Sequence, residues 1–212
     1  MSTTQCETPV TDSDTSYQIS RGSDLPEKIT FKRIGIIPYF LEESIPYFLL
    51  MIDAKFNEIT DAGGISRRRE KWSKAASRET REETRGIFNY SMEDVESKGI
   101  VIYRNDLSIA IVFMYEGNMT REKAYTLCCS YQTSYNEGII RSDKKETLEN
   151  SDMVILSIKE LSSIMKAKKK LLPVDQKKCY KVYRPVRFML RYVFKNFLNN
   201  SVAESNNIPV AA

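Results

Sequence analysis

Histidine is absent from all 212 residues. Without imidazole the chain has no Ser-His-Asp relay, no phosphohistidine transfer, no His-ligated zinc and no histidine acid-base pair. Any catalysis falls to carboxylates, Lys, Tyr, Cys or a metal. Cysteine is scarce as well: the four are Cys6, Cys128, Cys129 and Cys179, with no CxxC pair and no spacing suited to tetrahedral zinc. Neighbouring side chains in a strand point apart, so Cys128 and Cys129 are not expected to bridge, and the chain reads as reduced and cytoplasmic. Long apolar runs are also missing. The longest, Ile45 to Ile52, falls far short of the ~20 residues that span a bilayer, and no basic-then-apolar signal opens the chain. A soluble protein with no membrane partner is expected.

What is present looks globular. Hydrophobic residues make up 42% and charged residues 28%, an ordinary balance that excludes disorder throughout. At ~150 residues per domain the length points to one domain. Lys and Arg exceed Asp and Glu by 32 to 28, a net charge of +4, but the charge is unevenly spread. From Lys166 to Lys195 eleven bases accompany one acid, Asp175, so this stretch is +10 and the remainder is −6.

Residues 1–28 are rich in Ser, Thr and Asp and lack an apolar period, which reads as a disordered, mildly acidic leader. Residues 199–212 read as a flexible tail, leaving a folded domain over 29–198. Within it, 33–40 and 45–55 are β-prone runs around the turn-like Glu42-Glu43-Ser44, and 57–62 is a shorter extended run ending at Gly63-Gly64. A polar helix is expected over 71–85. A second hairpin is expected from 100–104 and 107–116 around Asn105-Asp106. The stretch 124–134 fits a strand or a short helix, 153–158 a buried strand, and 159–166 a short helix. From Gln176 to Leu198, Cys179, Val182, Val186, Leu190, Val193 and Phe197 recur at steps of three and four, which predicts a basic C-terminal helix whose main segment Pro185 starts or kinks. Strands before, around and after these helices imply a mixed sheet packed between helices, an α/β/α sandwich.

Chemistry concentrates between Gly63 and Phe88. On a helix beginning near Lys71, Glu79, Glu82 and Glu83 stand at i, i+3 and i+4, so their carboxylates emerge on one side. Three converging carboxylates repel one another, and a hard, oxygen-preferring Mg²⁺ or Mn²⁺ removes that penalty. Such an ion also binds polyphosphate oxygens and lowers the pKa of a bound water, with a spare Glu available for its proton. Hydrolysis of a phosphoanhydride follows. Gly63-Gly64 permits close approach of backbone to ligand, and Glu70 with Arg78 can tie the loop to the helix. The bland alternative is a solvated helix with ion pairs such as Arg78 to Glu82.

Gly64, five residues, Glu70, seven residues, Arg78-Glu79, two residues, Glu82-Glu83 resembles the Nudix box, G-x5-E-x7-R-E-U-x-E-E-x-G-U. Six identities at that spacing arise by chance in about one window in 10⁷. Two positions depart: Thr80 replaces a bulky aliphatic, and the closing glycine comes one residue late, at Gly86. The extra residue is expected to be absorbed before a left-handed turn. Late-glycine boxes resemble those of Nudix proteins from large DNA viruses and some microbes. The resemblance implies a Nudix-type α/β/α sandwich with mixed sheet, a hydrolase dependent on Mg²⁺ or Mn²⁺, and a nucleotide or other diphosphate-containing substrate. It also implies Glu79, Glu82 and Glu83 as metal ligands, with Glu79 the base in some members. The Gly63 carbonyl is implied as a further ligand, with Arg78 and Glu70 bracing the loop. The segment Val154 to Leu161 resembles the family's late strand-then-helix segment. A late acidic ligand upstream of it would be Glu146 or Glu149.

Beyond the box, Arg67, Arg68 and Arg69 are either phosphate-facing or plain loop charge. Trp72, the single tryptophan, either stacks a base or packs on the loop. The basic stretch with Tyr180, Tyr183 and Tyr192 is either a solvated helix face or a surface for RNA. Three functions are therefore carried forward. The first is a hydrolase of nucleoside diphosphate derivatives, and the second an mRNA cap hydrolase using the basic region to hold RNA. The third is a non-catalytic Nudix-fold nucleotide-binding module, disfavoured because every carboxylate of the box is present.

Overall fold

The computed structural model describes residues 17–140, 149–166, 170–172 and 175–201. Two long apolar strands, β2 (Arg33–Glu42) and β3 (Ile45–Asp53), pair antiparallel across Glu43 and Ser44. Both turn residues have positive φ, 51° and 63°, the twist that a two-residue hairpin loop requires. Short β4 (Glu58–Thr60) pairs with β3, and β5 (Ala62–Ile65) returns antiparallel to β2 with Gly63 opposite Gly35. On the other side of β2 lies a parallel neighbour, β7 (Ile109–Tyr115), joined in a hairpin to β6 (Ile100–Arg104) around the expected Asn105-Asp106 turn. The strand β8 (Asn150–Ser157) lies antiparallel to β3.

The helices are α1 (Trp72–Glu83), α2 (Met92–Lys98), α3 (Arg121–Ile140), α4 (Ile158–Lys166) and α5 (Arg184–Ser201). Alternation along the strands sorts them into two layers. Ile34, Ile36, Val112 and Val101 pack with Trp72, Ala75 and Ala76 of α1 and Val95 of α2, and Leu49 and Met51 face Ala124 and Tyr131 of α3. Their neighbours Ile37, Ile111, Ile102, Leu50 and Ile52 face the opposite way, onto Leu161 and Ile164 of α4 and Val186 and Leu190 of α5. The result is the expected α/β/α sandwich around a mixed sheet. Among the described residues no helix is long and apolar enough to cross a membrane.

The structure departs from the sequence expectation at both ends of the chain and after α1. Part of the span read as a leader is ordered: β1 (Gln18–Arg21) pairs antiparallel with β6, because that edge offers unpaired N–H and C=O groups to any extended segment. The C-terminal helix begins only at Arg184. The preceding residues form β10 (Asp175–Val182), parallel to β4 and antiparallel to β9 (Lys170–Leu172). The Tyr183 N–H donates to the Ile59 carbonyl at 2.8 Å, so an open strand edge overrode the weak helical period, and Pro185 lies in the first turn of α5 rather than at a kink. Of the two readings left open for 124–134 the helix is the one found, within the longer α3. Helix α2 was not anticipated, although Ser91 caps it by accepting from the Asp94 N–H at 3.0 Å. Helix α5 also runs three residues into the segment expected as a tail.

Candidate active site

The helix carrying the acids is unusually polar, and small buried residues set its distance from the sheet. Ala75, Ala76 and Thr80 are fully buried, so α1 lies close on β2 and β5. Thr80, standing where an aliphatic was expected, satisfies its hydroxyl within the helix by donating to the Ala76 carbonyl at 2.8 Å. One buried hydroxyl thus costs no unpaired polar group. The helix ends in paired backbone bonds, Gly86 N–H to Arg81 carbonyl at 2.8 Å and Arg85 N–H to Glu82 carbonyl at 3.2 Å, the Schellman arrangement. Its left-handed position is Arg85, φ 55°, with Gly86 following at 79°. The residue before the late glycine is therefore not absorbed ahead of the turn but starts it. Arg85 is held there by Tyr131 and Tyr135, whose rings lie 5.5 and 5.3 Å from its guanidinium carbon, and by donating to the Ser134 carbonyl at 3.0 Å.

Arg78 and Glu70 form the expected brace. Arg78 Nε and Nη2 donate to the two Glu70 oxygens, both at 2.9 Å, and Glu70 also accepts from the Arg67 N–H at 2.8 Å. The hydrogen bonds from Arg78 hold Glu70 down to about 2 from its ordinary 4.5. The same guanidinium reaches the box acids, with Nη1 at 2.6 Å from Glu79 and 3.1 Å from Glu82. Glu79 is buried against Gly64, where a Cβ would run into its carboxylate. Burial raises its pKa despite the opposing pull of Arg78.

Glu83 points elsewhere, into a cleft of about 220 Å³ whose lining includes Arg33, Asp61, Gly63, Glu149 and Asn150. Asn150 Nδ2 donates to Glu83 Oε2, and the Asn150 carbonyl is fixed by the Tyr131 hydroxyl at 2.9 Å. Burial, and then the negative charges of Glu149 and Glu79, push Glu83 well above the ordinary carboxylate range. At the floor, Arg33 grips buried Asp61 through both guanidinium ends, at 2.9 and 2.6 Å, and donates to the Gly63 carbonyl at 3.3 Å. Gly35 and Gly63 make this possible: a Cβ on either would strike the other's backbone and the Asp61 carboxylate.

The acids thus divide between Arg78, which takes Glu79 and Glu82, and the cleft, which takes Glu83 and Glu149. Among the described residues no three of them close on one point. The donor set nevertheless suits a hard cation: only oxygen donors are offered, and the repulsion of Glu83 by Glu149 and Glu79 is what a divalent ion relieves. Glu149 stands at the exposed rim of the cleft, and Glu146 lies outside the described residues. Arg67, Arg68 and Arg69 are exposed in the turn before α1 and do not line the cleft. Arg67 leans 3.7 Å from Glu82, and Arg69 adopts a positive φ of 63°. Trp72 is core, 2% exposed. Sequence reasoning missed Arg33, Asp61, Asn150 and Phe56, and it assigned Tyr183 to the basic stretch rather than to this cleft; these residues converge from distant strands and loops, and the one available signal was Gly35 together with a glycine-rich run.

The chain is similar to solved Nudix hydrolases. An Ap4A hydrolase of Caenorhabditis elegans is 16% identical over 80% of this chain and 99% of that one, with a TM-score of 0.44. A pyrophosphohydrolase of Bacillus subtilis is 15% identical over 88% and 92%, with a TM-score of 0.43. A protein of Listeria monocytogenes described as a Nudix hydrolase is 13% identical over 78% and 94%, with a TM-score of 0.34. No family model and no curated protein matches the sequence.

Proposed function

We propose that this chain is a divalent-metal-dependent hydrolase cleaving a phosphoanhydride bond in a nucleoside diphosphate derivative. The supporting observation is the meeting of Glu83 and Glu149 in one cleft beside the Gly63 carbonyl, one helical turn from Glu79. Glu79, Glu82, Glu83, Glu149 and the Gly63 carbonyl are the groups that would hold Mg²⁺ or Mn²⁺. The cation would supply charge neutralisation for phosphate oxygens and a more acidic water. The chain's own residues do the rest. Arg78 and Glu70 keep α1 registered on the turn, Arg33 and Asp61 fix the Gly63 backbone, and Phe56 and Tyr183 present rings at the cleft wall. In the reaction, water oxygen bonds to phosphorus, the bond from phosphorus to the bridging oxygen breaks, and the released phosphate leaves with that electron pair. A carboxylate of the cleft takes the water's proton.

Purified protein with Mn²⁺ or Mg²⁺ against a panel of nucleotide sugars, dinucleoside polyphosphates and capped RNA tests this reading. Glu82→Gln and Glu83→Gln should each abolish metal-dependent turnover while the protein still folds and melts cooperatively, since volume is kept and a ligand charge is lost. Undiminished turnover in both variants refutes the assignment.

A further inference from the structure

The strongest feature outside the cleft is a second concavity of about 660 Å³, between the end of α4, the end of β10 and the first turns of α5. Lys166, Lys181, Arg184, Arg187 and Arg191 line it, with Glu58 the single acid. Five cations in one concavity repel one another, and among the described residues none of the five forms an ion pair. Lys181, Arg184 and Arg191 are exposed, while Arg187 donates one Nη to the Met165 carbonyl at 3.0 Å and keeps a buried Nε with no hydrogen-bond partner among the described residues. Phe188, 38% exposed, lies under the Arg184 guanidinium at 5.7 Å. Glu58 and Tyr183 line both this groove and the acidic cleft, so the two adjoin.

We infer that this groove holds the strand of a single-stranded RNA whose diphosphate-bearing end sits in the acidic cleft. The inference rests on the proposed hydrolase reading only for the placement of that end. Each physical element has a counterpart in such a ligand. Phosphodiester oxygens meet the five bases, and binding releases their condensed counterions. The exposed ring of Phe188 offers a face for an unstacked base, which a duplex does not present. The volume falls in the ~300–1,000 Å³ range of pockets that enclose a compact ligand, room for the nucleotides next to the cleft. The acidic cleft repels the strand's phosphates everywhere except where a cation compensates them, so charge keeps the internal phosphates in the basic groove.

The test is fluorescence anisotropy of labelled single-stranded RNA with the full chain in Mg²⁺, titrated at several salt concentrations. Five phosphate contacts give a log–log salt slope of about −3.5 for a single strand. The double variant Arg184→Glu/Arg191→Glu should flatten that slope by about 1.4 and weaken binding several-fold whatever the sequence. Phe188→Ala should weaken it on the order of tenfold, the stacking of one base. Melting temperatures of both variants report that the fold is kept, and Lys166→Glu provides an independent charge reversal on another helix. Salt-independent binding, equal affinity for duplex RNA, or folded variants that bind like the parent overturn the inference. The Glu83→Gln variant separates the two readings. If it binds RNA undiminished while the parent hydrolyses nothing, the groove stands and the hydrolase reading falls. A parent that hydrolyses diphosphates but fails to bind strands gives the reverse.

Discussion

Arg78 carries three carboxylates on one guanidinium: it is bidentate to Glu70 and shares Nη1 between Glu79 and Glu82. Charge-assisted pairs of this kind are the strong ones, and the Glu70 end has a measurable signature. A carboxylate whose folded pKa lies below its unfolded value adds stability above the unfolded pKa and loses it as pH falls through the folded one. For Glu70 the window runs from about 4.5 down to about 2. Glu70→Gln should therefore lower the melting temperature at neutral pH and flatten its fall across that window, read by thermal scans at a series of pH values. A parallel pH dependence in the two proteins counts against the brace. Glu83 sits in the opposite electrostatic condition, raised by burial and by like charges, and that asymmetry separates a carboxylate satisfied within the fold from one crowded by its neighbours.

At the scale of elements, α1 is held at its two ends by different means. Its start is tied by Glu70 to the turn, and its end by Arg85 to α3. Arg85 occupies a left-handed position normally given to glycine, at a cost of about 1–2 kcal/mol, and offsets it through two tyrosine rings and the Ser134 carbonyl. Arg85→Ala should destabilise the protein by about 1–3 kcal/mol, keeping the strained backbone without its clamp. Arg85→Gly should recover about 1 kcal/mol of that loss. Urea unfolding of the three proteins gives the order; Ala at least as stable as Gly would remove the argument. Since α1 delivers Glu83 to the cleft, the same loosening bears on how the acids are aimed.

The whole molecule is a sheet whose edges recruit whatever extended chain lies near. Strand β1 covers β6, and β10 covers β4, and each of these recruitments displaced a sequence expectation. Removing the chain through Arg21 exposes the edge of β6, so a truncated protein starting at Gly22 should melt lower and self-associate in size-exclusion chromatography. A monomer with the parent's melting temperature would show the strand to be dispensable. On the other side, the placement of β10 brings Tyr183 to the cleft and turns the first residues of α5 toward the groove. A charge asymmetry visible along the chain thereby becomes a localised surface.

Local pattern was enough for the layers and the brace. Alternation in β2, β3 and β7 separates two buried faces, and the spacing of Glu70, Arg78, Glu79, Glu82 and Glu83 is a property of a single turn and helix, written within one short stretch of chain. Glu149, Arg33, Asp61, Asn150 and Tyr183 belong together only because distant strands pair, and no periodicity encodes which open edge an extended segment joins. Hydrogen bonding between strands is indifferent to sequence distance. For that reason the order and spacing of the acids could be read along the chain, whereas their division between Arg78 and the cleft, and the basic groove beside it, were decided by tertiary pairing.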